Sequence, residues 1–192
     1  MKIFYTLISI VFLPIINLVA NANTGFSLDS LLQEMLLQKN VSAKFIEKKN
    51  IKGINTPIES TGEFSFISPS TIIKQTNTPQ LEVLKIEGNT ITVDRKRNIR
   101  SFDVHDFPEI AGYFEGFLHL LSGNRSGLEK NYKVKFSGEK NNWKLSLIPQ
   151  NKSSAVAEII LLGKSAEVYQ VNILLSDGDS STMEILPIEK IN

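Results

Sequence analysis

The amino-acid sequence predicts a mainly β fold, in which eleven short strands form one strongly curved antiparallel sheet or incomplete barrel. Apolar and polar residues alternate at the period of a strand in six runs before residue 104 and in five runs after residue 131. A strongly apolar helical segment separates the two groups, and a second helix precedes them. No linker rich in proline, glycine or serine interrupts the chain, so we expect all strands to share one domain.

The first residues have the pattern of a cleavable secretory signal. Lys2 precedes an apolar run over 3–19, and Ala20-Asn21-Ala22 has small residues at the positions that a signal peptidase reads. We predict cleavage after residue 22, which leaves 23–192, a length that suits a single domain. The alternative is a retained membrane anchor, but the run is short for a span and lacks a basic flank.

Composition excludes several classes of function. Loss of Lys2 leaves 20 basic against 20 acidic residues, so net charge gives no argument for nucleic acid or an anionic membrane. The chain has no cysteine, which excludes disulfides, thiolate metal sites, a cysteine nucleophile and a lipidated cysteine. An exported chain without a lipid anchor is expected to be soluble outside the inner membrane, most simply in a bacterial periplasm.

The first predicted helix covers residues 26–39. Ser27 can cap it, Asp29 favours its first turn, and Asn40 is a plausible stop. Leucine and methionine side chains recur at helical spacing along one face, which must therefore lie on an apolar surface.

Strands with period-two alternation follow this helix. The predicted strands are 41–46, 58–67, 71–76, 81–87, 90–94, 98–103, 132–136, 143–148, 155–162, 167–175 and 182–188. Short polar connections such as Gly88-Asn89 indicate that neighbouring strands pair as an antiparallel meander.

One predicted hairpin, 62–79, has an aromatic face. Phe64 and Phe66 share one side of its first strand, Pro69-Ser70 makes the turn, and Pro79 ends the second strand. Such a wall encloses either a dry core or a lipid.

The second predicted helix runs from Pro108 to Gly123, followed by a short turn or helix at 124–131. Gly112 and Gly116 weaken it by about 1 kcal/mol each relative to alanine, so we expect this helix to be a poor rigid strut. Its apolar stripe comprises Ile110, Phe114, Phe117, Leu118 and Leu121.

Signals for an enzyme are weak. The chain lacks HExxH, GxSxG and phosphate-cradling motifs, and its two histidines are His105 and His119. His105 with Asp106 could form half of an acid–base pair or lie in a solvated loop, whereas His119 is expected at the edge of the core. We predict no enzymatic activity, no metal and no cofactor.

Two groups of basic residues admit two interpretations. They lie at 44–52 and 95–100, where they could keep strand ends soluble or form a docking patch for an acidic partner.

The apolar inventory is the strongest functional signal. Aromatic and aliphatic residues at alternating strand positions predict the lining of either a filled core or a lipid cavity. These residues are Phe45, Phe64, Phe66, Ile73, Trp143, Leu145, Leu147, Tyr169, Val171 and Ile173.

Several segments in this order and spacing resemble the periplasmic lipoprotein carrier family, LolA and its LolA-related relatives. The resemblance covers nearly all of the mature chain. It is carried by the helix 26–39, Phe45, GEFSF-x-x-P at 62–69, Pro79, the helix 108–123, the Trp143–Pro149 strand and Asp177-Gly178.

This resemblance implies an eleven-stranded unclosed half-barrel covered by a helical lid. It implies a soluble, monomeric carrier that takes acylated lipoprotein from an inner-membrane ABC transporter to an outer-membrane receptor lipoprotein. The absence of cysteine favours the carrier over the lipidated receptor. The alternatives are a lipid-binding sensor or interaction module with the same fold, and a periplasmic hydrolase that uses His105.

One departure from the family pattern concerns the latch that holds the lid. The position of the family's latch arginine falls on Ile73, which cannot donate a hydrogen bond. Lys74 is adjacent and is expected to point to the opposite face of the strand. We therefore do not transfer the latch role, and a carrier of another lipid becomes plausible.

Overall fold

The structure is a computed structural model that describes residues 25–96, 98–106, 108–152 and 154–188. The predicted signal sequence, with its cleavage site, lies outside the described residues. The side chains of His105 and Ile110 are also outside them, as are the surroundings of Gly112, so the predictions for these three residues stay predictions.

All eleven predicted strands are present. They are β1 (Asn40–Asn50), β2 (Ile58–Ile67), β3 (Thr71–Thr78), β4 (Glu82–Glu87), β5 (Thr90–Arg95), β6 (Asn98–Asp103), β7 (Tyr132–Glu139), β8 (Asn142–Pro149), β9 (Val156–Lys164), β10 (Glu167–Leu175) and β11 (Ser180–Pro187). The helices are α1 (Leu28–Leu36), α2 (Pro108–Leu121) and α3 (Arg125–Asn131), with a 3₁₀ turn at Val104–Asp106.

The strands form one antiparallel sheet in the order β6-β5-β4-β3-β2-β1-β11-β10-β9-β8-β7. The sheet is open, with β6 and β7 at its two edges, and the first strand pairs with the last along Ala43–Asn50. This confirms the prediction of an unclosed eleven-stranded antiparallel sheet. The two edge strands are consecutive in sequence, and the segment that joins them contains α2 and α3.

Local sequence explains where the helices begin and end. The Ser27 hydroxyl accepts the Ser30 backbone N–H at 3.2 Å and so caps α1, as predicted. Gly123 ends α2 with a left-handed φ of +64°, and a Cβ there would approach the Leu32 carbonyl oxygen to 2.8 Å. Asn124 caps α3, because its side-chain oxygen accepts the Gly127 N–H at 2.9 Å.

The hydrophobic core lies between the helices and one face of the sheet. Its fully buried side chains include Leu31 and Met35 of α1, Leu120 of α2 and Leu128 of α3, each with no exposed surface. They pack in one cluster with buried residues of β2, β3 and β7–β10. The helices therefore cover the face of the sheet that carries the predicted lining residues, and we call it the inner face.

Candidate functional site: the inner face and its helical lid

Cross-strand register identifies the side chains that share the inner face. Phe66 lies opposite Val41 of β1 and Ile72 of β3, and all three belong to or pack against the buried cluster. Phe64 lies two residues along the same strand and therefore on the same side. The aromatic wall predicted for this hairpin is thus present, and it faces the helices.

The second half of the sheet supplies the deepest part of the inner face. Trp143, Leu145 and Leu147 of β8 are at most 1% exposed. The Trp143 indole N–H donates to the Ser165 carbonyl at 2.8 Å, and its ring lies over Gly163, where any side chain would collide with it. Glycine at this position therefore makes the room that the indole needs.

Eight of the ten predicted lining residues lie on the inner face. Phe66, Trp143, Leu145, Leu147 and Val171 belong to the buried cluster, and Phe64 and Ile173 are partly buried against it. Phe45 is 1% exposed and lies beside Gly62, where a Cβ would be 2.9 Å from its ring. Their role in lipid binding remains a prediction.

Ile73 does not lie with the other predicted lining residues. It pairs with Ser65, so it faces away from the helices, whereas Lys74 pairs with Phe64 and faces inward. This register corrects the assignment of Ile73 to the lining. Lys74, which was expected on the outer face, points inward instead. A lysine is tolerated on a buried face only where an acidic group pairs with it.

Tyr169 is likewise excluded from the inner cluster. A register shift between Val168 and Gln170 marks a β-bulge, in which Tyr169 is the extra residue. Its side chain is 41% exposed, and its hydroxyl donates to the Asn142 side-chain oxygen at 3.3 Å. Regular alternation counted back from Val171 places Tyr169 on the inner face, and the bulge shows that this assignment is wrong.

Helix α2 lies over the aromatic wall as the lid. The Phe117 ring contacts the Phe64 ring with a centroid separation of 6.5 Å. Phe114, Phe117 and Leu118 are only partly buried, whereas Leu120 is completely buried. The predicted stripe missed Leu120 because α2 is apolar on more than one side, so that periodicity alone does not mark the innermost residue.

Gly116 has a packing role that composition did not indicate. A Cβ at Gly116 would lie 3.2 Å from Leu147 and 3.4 Å from the Tyr132 ring. Glycine therefore lets α2 approach β8 closely, in addition to weakening the helix. Burial raises the pKa of Tyr132 well above its ordinary value, so its hydroxyl stays neutral.

A buried charged pair on the inner face was not predicted. Glu47 is 3% exposed, and its Oε2 accepts from Lys74 Nζ at 2.6 Å. Burial raises the pKa of Glu47, but Lys74, with help from Lys49 and Ser181, outweighs it and leaves that pKa below its ordinary value. Burial lowers the pKa of Lys74, and Glu47 opposes this shift. Among the described residues, Lys74 therefore links β3 to β1.

Where the structure describes it, the inner face is mainly apolar, apart from the Glu47–Lys74 pair and its hydroxyl partners. No group of three or more His, Asp or Glu side chains in the described part of the chain could hold a metal ion. Across the described residues, no helix has the length and apolar character needed to cross a bilayer. The basic groups at 44–52 and 95–100 are partly paired, since Lys48 contacts Glu59 and Arg95 contacts Glu82.

An open antiparallel sheet that presents an apolar inner face to a helical lid defines a class of binding scaffold. A family profile described as "Outer membrane lipoprotein carrier protein LolA-like" matches residues 20–185. The chain therefore belongs to the LolA-like family, as the sequence resemblance predicted. Among curated protein sequences, none matches this chain.

Solved structures with similar backbones are distant in sequence. A LolA superfamily protein from Nitrosomonas europaea is 8% identical, covers 86% of this chain and 95% of its own, and has a TM-score of 0.44. An uncharacterized conserved protein from Thermus thermophilus is 10% identical over 84% and 86%, with a TM-score of 0.48. A putative outer membrane lipoprotein-sorting protein domain from Vibrio parahaemolyticus is 10% identical over 86% and 91%, with a TM-score of 0.39.

Proposed function

We propose that this protein is a non-enzymatic periplasmic carrier that shields the acyl chains of a lipoprotein, or of another lipid, between the inner and outer membranes. An inner-membrane ABC transporter and an outer-membrane receptor lipoprotein are its proposed donor and acceptor. The proposal is supported by membership of the LolA-like family and by the secretory signal predicted for residues 1–22. The observation that carries it is the partly buried contact between the Phe64 ring of β2 and the Phe117 ring of α2, which we call the seam.

A carrier must release what it binds. Burying a methylene gives about 0.8 kcal/mol, so an acyl chain of roughly 15 methylenes gains about 12 kcal/mol gross. Cargo with several such chains would not dissociate unless part of this free energy were offset by the protein itself. Helix α2 buries Leu120 and Leu121 against the core, so the lid would compete with cargo for the same surface.

The seam is the place where this competition begins. Leu120 is fully buried at the inner end of α2, whereas Phe114, Phe117 and Leu118 are only partly covered. Because these three side chains are only partly buried, moving this side of α2 away from the aromatic wall exposes less apolar area than moving the end that carries Leu120. Lifting α2 at the seam gives an acyl chain access to Phe64 and Phe66 while the remaining helices stay packed.

Native mass spectrometry of the mature protein, purified from the periplasmic fraction without delipidation, tests the carrier proposal. We expect co-purified lipid or acylated protein, and we expect the protein to keep an added lipoprotein from aggregating. Absence of both would overturn the proposal.

Reversible cross-linking tests the role of the seam. Because the chain lacks cysteine, Phe64→Cys and Phe117→Cys can be joined selectively by a bifunctional methanethiosulfonate. We expect the joined protein to lose cargo uptake and to regain it on reduction. The control pair, Asp29→Cys and Arg125→Cys, joins α1 to α3 at an existing ion pair and should leave uptake intact. Equal uptake by the joined and reduced Phe64–Phe117 pair would contradict the lid mechanism.

The second candidate is a sensor or interaction module that binds lipid without shuttling it. The observation that favours it is the filled inner face, where Leu145 and Ile159 have no exposed surface. Hydrogen exchange separates the two candidates. A carrier should exchange its α2 amides through local opening, whereas a filled module should exchange them only on global unfolding.

A further inference from the structure

Four donors from four different strands converge on the Glu47 carboxylate at the inner face. Its Oε2 accepts from Lys74 of β3 at 2.6 Å and from the Ser60 hydroxyl of β2 at 3.3 Å. Its Oε1 accepts from the Ser181 hydroxyl of β11 at 2.7 Å and lies 3.7 Å from Lys49 Nζ of β1. We call these five residues the Glu47 cluster. Such a set of ammonium and hydroxyl groups is a receptor for an oxyanion, here satisfied by the protein's own carboxylate.

The cluster lies at the end of the row of apolar inner-face residues along β1. Along β1, Val41, Ala43 and Phe45 face the interior, and Glu47 is the next residue on that side. Lys74 Nζ lies 4.9 Å from the centre of the Phe45 ring. An extended apolar chain that followed β1 from beneath the helices would therefore reach charged groups directly beyond Phe45.

The charges of the Glu47 cluster do not cancel. Lys49 and Lys74 face the single carboxylate of Glu47, while the neighbouring Arg95 and Glu82 pair with each other. The Lys49 side chain is 50% exposed and that of Lys74 is 18% exposed, so part of each side chain reaches the surface. An ammonium has three donors, and within the described residues the hydrogen bond of Lys74 goes to Glu47. Among the described residues, the cluster with Arg95 and Glu82 thus carries three basic groups against two carboxylates, beside the apolar inner-face residues of β1.

We propose that the Glu47 cluster is a headgroup site, which selects an amphiphile with an apolar chain and an anionic head, either carboxylate or phosphate. The chain would lie under α2, and the head would bind Lys74 and Lys49 next to Glu47. This inference rests on the proposed carrier function and narrows its cargo. A neutral acylglycerol offers the same chain but no charge for the two lysines.

Ligands that share one chain and differ in the head test the site. The probes are laurate, dodecyl phosphate and 1-dodecanol below their micelle concentrations, with inorganic phosphate as the chainless arm, all measured by isothermal titration calorimetry on the mature protein. We expect laurate and dodecyl phosphate to bind about tenfold more tightly than dodecanol. Inorganic phosphate should bind far more weakly than dodecyl phosphate.

Variants of the cluster give the sharper comparison. Lys74→Met should bring the laurate-to-dodecanol affinity ratio close to one, and Glu47→Gln should raise that ratio by removing the internal competitor. Lys85→Met is the matched control, because Lys85 pairs across the sheet with the outward Ile73 and is 41% exposed. Should Lys74→Met fail to fold, Lys49→Met replaces the more exposed lysine and is expected to lower the ratio about threefold.

The outcomes distinguish this inference from the proposed function. Equal affinity of the wild type for all three chain-bearing probes would overturn the headgroup site and leave the carrier intact. Equal affinity for inorganic phosphate and dodecyl phosphate would identify a free-anion site and overturn the amphiphile. Binding of none of the chain-bearing probes would overturn both proposals.

Discussion

The side-chain amide of Asn124 donates a hydrogen bond to Nδ1 of His119 over 3.3 Å, across the junction between α2 and α3. The direction of this bond is fixed by the helix cap, because the Asn124 oxygen already accepts the Gly127 N–H at 2.9 Å. Nδ1 must therefore be the unprotonated acceptor, which makes His119 neutral with its proton on Nε2. The ring fits because residue 127 is glycine, where a Cβ would lie 2.5 Å from it.

Acid should weaken this junction. Burial lowers the pKa of His119 below its ordinary 6.5, against the effect of Glu115 and with that of Lys130. The unfolded chain therefore binds more protons than the folded one between the two pKa values, and stability falls as the pH drops below about 6.5. We expect the α2 amides to exchange faster at pH 5.5 than at pH 7.5 after correction for intrinsic exchange rates.

Histidine variants isolate this pH effect. His119→Gln keeps an acceptor but cannot be protonated, so it should remove the pH dependence. His105→Gln serves as the control and should retain it. An unchanged pH dependence in His119→Gln would show that another group causes the effect.

Loss of one member of the Glu47–Lys74 pair should destabilise the fold. Lys74→Met leaves the buried carboxylate with only Lys49 and two hydroxyls, and we expect the free energy of unfolding in urea to fall by about 3 kcal/mol. The double change Glu47→Leu with Lys74→Met removes both charges and should recover most of this loss. Lys85→Met should lie within about 0.5 kcal/mol of wild type. A double variant as unstable as the single one would contradict this account.

Shortening the lid residue at the seam should speed loading. Phe117→Ala removes the ring contact with Phe64, and a loss of about 1 kcal/mol of local stability raises the open population roughly fivefold. Stopped-flow fluorescence of the single tryptophan during laurate addition should show a comparable increase in rate. Leu37→Ala changes a leucine that is 79% exposed and should leave the rate unaltered. A slower rate in Phe117→Ala would mean that this ring recruits cargo and does not exclude it.

A side chain at Gly163 should disturb the core under Trp143. The indole occupies the space that the Cβ of Gly163→Ala needs, so we expect a loss of about 2–3 kcal/mol in unfolding free energy and a red-shifted tryptophan emission. Lys164→Ala changes an exposed neighbour and should alter neither quantity. Wild-type emission in Gly163→Ala would mean that the indole moves without loss of burial.

The order of elements could be predicted from sequence because each strand carries its own period-two pattern and each helix its own cap. The face of a residue was harder to predict, because it depends on register with a neighbouring strand. The resemblance places the family's inward latch position at Ile73, and alternation then puts Lys74 on the opposite face. The partner that makes Lys74 acceptable is Glu47, which lies in another strand and has no signal near residue 74.

Tyr169 shows a second limit of sequence patterns. Its alternation with Val171 and Ile173 is regular, and the bulge that breaks it is set by pairing with β9. Leu120 shows a third, since a helix that is apolar on several sides gives no unique inner stripe. Pairing and packing between distant segments decided all these positions.

The two edges of the sheet are tied together by the lid itself. Strands β6 and β7 end the sheet on opposite sides, and residues 104–131, which contain α2 and α3, connect one to the other. The segment that contains the lid helix is therefore covalently attached to both edge strands of the open sheet. We expect a bulky cargo that moves β6 and β7 apart to stretch this connecting segment. The distance between the two edge strands would then limit how far α2 can move away from the sheet.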